Sequence, residues 1–209
     1  MKTNKPYNPF LIAGYHSPDY FCDRETETAK ITSALNNDRN VSLMSARRYG
    51  KTGLIQHVFH KLTESDSKVV CIYMDIYPTQ NLNDFVKIFS ENVLGKADAN
   101  LEKAMNKFAA FFKSFRPVLS YDSLNGQPEL SVKIEPAMEK NSLQEVFAYI
   151  EQSGKRCYIA IDEFQQIAEY PEKGTEALLR SYIQFSTNVK FIFAGSRQHL
   201  MNEIFLSAK

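Results

Sequence analysis

Two short clusters in this sequence bring together residue types that can do chemistry. The first is Ser45-Ala46-Arg47-Arg48-Tyr49-Gly50-Lys51-Thr52. Small residues and a glycine let successive backbone N–H groups converge on one anion, a lysine reaches terminal phosphates, and a hydroxyl can hold magnesium. Lys51 is therefore the expected contact for the β- and γ-phosphates of ATP, and Thr52 the expected Mg²⁺ ligand. Residues 45–53, Gly53 included, form the expected ATP-binding loop. Arg47 and Arg48 could clamp phosphate. Ser45 departs from the usual pattern, which has glycine there to permit an unusual backbone conformation that serine enters only at a cost.

The second cluster is Cys157-Tyr158-Ile159-Ala160-Ile161-Asp162-Glu163, an apolar run ending in two carboxylates. In that arrangement one acid faces the metal and its water shell, and the next stands beside an attacking water. Asp162 is the expected metal residue and Glu163 the catalytic one, polarising the water in a reaction that is mainly positioning and charge stabilisation. Alternatively, the pair caps a following helix. A further apolar run, Phe191-Ile192-Phe193-Ala194-Gly195, delivers Ser196 to a comparable place, where it could sense the γ-phosphate or serve only as a turn residue. Asp75 ends a third run and reads either as an acid near the water or metal, or as one that stabilises its turn. His57, His60 and His199 lack metal-ligand spacing and read as structural or surface residues.

The elements that must position these residues follow from periodicity. Residues 40–44, 68–74, 156–161 and 189–194 read as strands, and the continuous apolar character of several suits a parallel sheet buried on both faces. Leu54, Ile55, Val58, Phe59 and Leu62 mark the apolar face of a helix opened by the loop. Further helices are expected from Asp23 as N-cap to residues 36–37, over 82–94, 142–152 and 175–185, and from about residue 197. Alternation of strand and helix predicts an open parallel α/β sheet with ligands at the carboxyl ends of the strands. Residues 98–135 interrupt it: Leu101, Met105, Phe108, Phe112 and Phe115 make a helical stripe that reads as packing, and a hairpin turning at 125–128 follows. Residues 1–22 read as an extended strap.

The chain of 209 residues suffices for one domain with a substantial core. A net charge of +1 provides no global field for nucleic acid or anionic lipid, so nucleic acid is not an expected partner. Cys22, Cys71 and Cys157 are three in number and widely spaced, and read as free thiols of a reducing compartment. The longest apolar run, residues 69–74, is far too short to cross a membrane, and the N-terminus lacks the apolar stretch of a signal peptide. A soluble, cytoplasmic protein is expected.

These pieces resemble the archaeal-type P-loop ATPases of the STAND group within the AAA+ superfamily, bacterial members included. The matching residues are Tyr20-Phe21-Cys22-Asp23-Arg24-Glu25, the loop 45–52, Asp75-Ile76-Tyr77-Pro78, Ile161-Asp162-Glu163-Phe164, and 191–201, which together span nearly the whole chain. The resemblance implies ATP and Mg²⁺ binding, a nucleotide-gated change of shape, and a sheet of order 5-1-4-3-2. It also implies that Asp23 and Arg24 lie near the adenine. Such proteins usually continue into a fifth strand, a helical lid and a winged helix, whereas this sequence ends at Lys209. The expectation is thus one ATPase domain over 1–209, short of that strand and of those C-terminal parts. Arg180 or Arg197 could serve as an arginine finger, in cis or across a homo-oligomer, and neither position is diagnostic. Beyond ATP and ADP, the expected partner is a second copy or another protein. Two readings compete: an ATPase whose hydrolysis resets a conformational switch, and a nucleotide-gated binding or signalling module with negligible hydrolysis, for which Ser45 is an argument.

Overall fold

A computed structural model describes residues 14–97, 112–121, 128–135 and 137–206. In chain order its helices are α1 (Glu25–Asn36), α2 (Lys51–Ser65), α3 (Leu82–Ala97), α4 (Glu139–Gln152), α5 (Thr175–Ile183) and α6 (Gln198–Leu206). Its strands are β1 (Val41–Met44), β2 (Val70–Asp75), β3 (Phe115–Tyr121), β4 (Pro128–Ile134), β5 (Cys157–Asp162) and β6 (Val189–Gly195). Short 3₁₀ turns cover Pro18–Tyr20 and Phe164–Glu169.

The apolar runs become a parallel sheet of order β1-β6-β5-β2. Counted within that sheet alone, this is 1-4-3-2, the expected order without a fifth strand among the described residues. Every residue of β5 and β6 is buried, because helices cover both faces. Strand alternation divides the core in two. Tyr158, Ala160, Ile192 and Ala194 face α1 and α2 through Ile31, Leu35, Leu54, Ile55, Val58, Phe59 and Leu62. Ile159, Ile161, Phe191 and Phe193 face the other way, towards α3, α4, α5 and α6. The i, i+4 and i, i+3 spacing of the apolar residues in α2 thus meets a two-residue strand period, and the contact fixes where the first turn of α2 points.

β3 and β4 form a separate antiparallel hairpin. Two carboxylates hold this insert to the main body. Glu91 of α3 accepts hydrogen bonds from the Val132 N–H and the Ser131 hydroxyl, each at 3.0 Å, and Glu145 of α4 accepts from the Ser114 N–H at 3.1 Å. Phe112 and Phe115, expected on a helical stripe, are buried in the core beside α3 and α4, but Phe115 opens β3 and Phe112 lies in the irregular stretch before it, so this end of the expected helix is not helical. Leu101, Met105 and Phe108, the hairpin turn at 125–127 and the strap before residue 14 lie outside the described residues.

The described end of the strap docks as its aromatics suggest. Phe21 stacks on His57 with ring centroids 4.2 Å apart, and Tyr15 hydrogen-bonds the His57 Nδ1 at 3.2 Å. His57 is therefore structural, as expected. Asp23, however, is not the helix cap. Arg24 occupies that position with a left-handed backbone, φ 69°, and no side chain caps the helix. Asp23 turns back instead to accept the Arg24 N–H at 2.8 Å. The helix expected from residue 142 starts at Glu139, since Met138 and Glu139 continue the turn ahead of the apolar face at Leu143, Val146, Phe147 and Ile150.

Candidate functional site

β1 runs into the loop at Ser45, and the Ser45 N–H remains bonded to the Gly195 carbonyl at 3.3 Å, so the loop is rooted beside the end of β6. From there the chain turns through Arg48 and Gly50, whose φ angles of 64° and 73° are left-handed, and enters α2 at Lys51. Ser45 is not among the left-handed residues. The backbone cost expected at Ser45 therefore falls on Arg48, where the loop reverses, and is of the order of 1–2 kcal/mol for a non-glycine residue.

Lys51 is 8% exposed, and its ammonium donates to the Ser45 carbonyl at 2.9 Å and the Ala46 carbonyl at 3.1 Å. An ammonium has three donors, so one remains for an anion in the loop. The loop is followed by a helix of 15 residues whose first-turn N–H groups and dipole favour negative charge. Gly53, in that first turn, lies under the strap, and a Cβ there would sit 3.7 Å from the Phe21 ring.

The start of α2 places Thr52 opposite the end of β5. Its hydroxyl donates to Asp162 Oδ2 at 2.8 Å, although the two residues are 110 apart in sequence. Tyr73 of β2 donates to the same oxygen at 2.9 Å, and the Glu163 N–H donates to Oδ1 at 2.9 Å. Burial, and next the Asp162 carboxylate, push the Tyr73 phenol above its ordinary pKa, which keeps its proton in place as a donor. Tyr73 was not singled out in the sequence, where it reads as one more apolar strand residue. Asp75 pairs in register with Asp162. It accepts the Tyr77 N–H at 2.8 Å, which makes it a turn-stabilising acid, while burial, then the Asp162 and Glu163 charges, raise its pKa.

Glu163 leaves β5 in a left-handed conformation, φ 54°. It precedes the Phe164–Glu169 turn but makes no side-chain capping bond to it. Its Oε2 instead accepts from the Ser196 hydroxyl at 2.8 Å and from the Gln165 amide. The Gln165 carbonyl oxygen in turn accepts the Ser196 N–H at 3.2 Å. The two sequence-selected residues Glu163 and Ser196 thus meet, joined by a third, Gln165, which sequence reasoning missed.

The remaining candidates are less central. Arg24 donates to the Tyr49 carbonyl at 3.1 Å and pairs with Glu27 at 3.6 Å, which ties the strap to the loop. Arg47 lies over the ring of exposed Tyr77, 5.7 Å from its centroid, and Arg48 is exposed. Arg180 donates to the Ile204 carbonyl at 2.7 Å and Arg197 pairs with Glu169, so both are engaged within the domain. Cys71 and Cys157 are free thiols pushed up to about 12 by burial, which disfavours the thiolate.

The donor set suits Mg²⁺. Thr52 and Asp162 offer hard oxygens side by side, and no group of three or more His, Cys, Asp or Glu that could cage a metal exists among the described residues. Mg²⁺ is characteristically held by one or two protein oxygens together with substrate phosphates and water. No helix of the described residues is long and apolar enough to cross a membrane.

Residues 21–206 match the family model of an ATPase domain found predominantly in Archaea. An uncharacterised ATP-binding protein of Methanocaldococcus jannaschii is 25% identical over 198 residues, which cover 90% of this chain and 50% of that protein. Among solved structures, a Walker-type ATPase of Pyrococcus abyssi has a TM-score of 0.59 at 20% identity, covering 94% of this chain and 51% of that one. The Orc1 protein of Aeropyrum pernix, solved in complex with DNA, has a TM-score of 0.58 at 15% identity, covering 90% and 44%. The chain spans about half the length of these relatives, and the likeness to the solved structures is one of fold.

Proposed function

The chain belongs to the ATPase domain family found predominantly in Archaea, and on that basis we propose that it binds ATP with Mg²⁺ at residues 45–53 and hydrolyses it, using the reaction to reset a conformational switch. The observation that carries this reading is the contact between the Thr52 hydroxyl and Asp162, made directly beside the loop that Lys51 closes. Two segments distant in sequence, the loop with the first turn of α2 and the end of β5, converge there, each with the residue types that phosphoryl chemistry needs.

In this reading the loop N–H groups, the α2 dipole and Lys51 take the β- and γ-phosphates, and Thr52 and Asp162 hold Mg²⁺. When bound, Mg²⁺ supplies positive charge to the phosphate oxygens. Glu163 orients a water and accepts its proton as the water oxygen bonds to the γ-phosphorus and ADP leaves. Ser196 reports the γ-phosphate, because its hydroxyl is bonded to the same carboxylate. Asp23 and Arg24 stand at the strap end, towards the base; the Arg24 contact with Tyr49 makes that end sensitive to the loop. Hydrolysis would change the bonding of Ser196 and Glu163 together, giving β6 and α6 a nucleotide-dependent position. Membership of the STAND group, with a second copy or another protein reading that position, is part of the same proposal.

Ser45 was one argument for a module with negligible hydrolysis, and the absence of a left-handed φ there removes the backbone reason for that argument. Steady-state phosphate release from purified protein with Mg²⁺ and ATP tests the proposal. Turnover that requires Mg²⁺ supports it. Tight ATP binding with no phosphate release, alone or at high protein concentration, refutes the hydrolytic half.

A further inference from the structure

We propose that Gln165 is a positioning residue for hydrolysis, its amide locking the Glu163 carboxylate and Ser196 into one unit. The inference rests on the hydrolytic reading above. Gln165 is 2% exposed, so its amide must find partners inside the protein. It finds two: the Glu163 carboxylate, which can only accept, and the Ser196 N–H, which can only donate. These partners set the amide's orientation chemically, Nε2 towards Glu163 and Oε1 towards Ser196. With the Ser196 hydroxyl on Glu163 Oε2, the three residues close a ring of hydrogen bonds.

The ends of β5 and β6 are shaped to admit this ring. A Cβ on Gly195 would lie 2.5 Å from Gln165 Oε1 and 2.6 Å from Met201 Sδ, so with any other residue there the amide or the Met201 side chain must move. The left-handed backbone at Glu163 then turns the chain so that residue 165 comes back beside the side chain of 163. Were the position only packing, an apolar residue of equal length would fill it without the need to satisfy an amide. Instead the amide contacts the Glu163 carboxylate and the backbone N–H of Ser196, the two residues that the hydrolytic reading places at the γ-phosphate. Gln165 acts through Glu163.

The test compares Gln165→Met, of similar length but without donor or acceptor, with Gly195→Ala, whose Cβ displaces the same amide from the other side. Each is measured by Mg²⁺-ATP turnover, ATP affinity and thermal midpoint. For Gln165→Met, kcat should fall about tenfold or more, as expected when a catalytic group is misplaced, with KM and ATP affinity within about twofold. Gly195→Ala should reproduce the split, and the double variant should be no worse than the worse single one, because both remove one contact. Unchanged or raised kcat in Gln165→Met overturns the inference, as do additive losses in the double variant or losses of kcat and ATP affinity in parallel. If Gln165→Met does not fold, Gln165→Glu, which keeps the shape but loses the amide donor, takes its place: the same selective fall in kcat supports the role, and an unchanged kcat overturns it. Wild-type protein without turnover would instead overturn the hydrolytic reading, and this role with it; turnover of wild type with an indifferent Gln165→Met overturns this role alone.

Discussion

Asp162 and Glu163 are adjacent carboxylates at the end of one strand, yet their surroundings differ. Asp162 is the last residue of β5, 4% exposed, and its side-chain partners come from a helix and a strand, Thr52 of α2 and Tyr73 of β2. Glu163 lies beyond the strand in a left-handed turn, half-buried, and its partners, Gln165 and Ser196, both lie in the short connections that follow β5 and β6. On the proposed reading, this contrast is a division of labour. A metal site needs fixed oxygens, which regular elements supply, whereas a group that must respond to the γ-phosphate is better carried on turns whose bonds can rearrange.

The largest effect that would sharpen this contrast is expected from Glu163→Gln. Turnover should fall about 10²- to 10⁴-fold, the range for loss of a general base, while equilibrium ATP affinity stays within about twofold. Comparable losses in both would make Glu163 part of the binding half and break the comparison. Tyr73→Phe should do the reverse on a smaller scale. Removing one hydrogen bond to a charged group costs about 1.5 kcal/mol, or roughly tenfold, and the loss should appear in ATP affinity with Mg²⁺ present and vanish when EDTA is added. An equal loss under both conditions would show that Tyr73 merely packs.

The smallest effect is expected from His57 of α2, which packs against Phe21 and Tyr15 of the strap. Burial, then nearby Lys61 and His60, lower its pKa, against the opposing pull of Glu25 and Glu64. The folded state therefore takes up the proton less readily than the unfolded chain, whose histidine titrates near 6.5. That contribution to stability is fully present above this value and is lost as pH falls from it towards the folded pKa. The thermal midpoint should decline on acidification from pH 7 to 5, and less steeply in His57→Gln. Identical slopes would remove His57 as the cause.

Much of this architecture was legible because β5 and β6 are uninterrupted apolar runs, a pattern that only two-sided burial explains, and because α2 carries its apolar residues on one face. Lys51, Thr52, Asp162, Glu163 and Ser196 could be selected as candidates from type and position, and that they come together needed the fold. Tyr73 escaped because a tyrosine in an apolar strand looks like core; strand alternation, which puts it on the α2 face with Cys71, was the available signal. Gln165 escaped because a polar residue after a strand end looks solvent-facing, and nothing local reveals that Gly195 leaves space for it from 30 residues away. The concern over Ser45 came from a motif rule, and the reversal fell at Arg48 instead. Asp23 failed as a cap because Asp23 and Arg24 are both left-handed, which moves the helix entry by one residue.

The most direct test of nucleotide binding at this loop is an equilibrium titration of Mg²⁺-ATP into wild-type protein and Lys51→Ala. Saturable binding is expected for the wild type and at least about a hundredfold weakening for Lys51→Ala, the loss of a charge-assisted contact worth about 3 kcal/mol, with both proteins melting cooperatively. Wild-type protein that takes up no nucleotide, or a Lys51→Ala variant that binds as tightly as wild type, would contradict it.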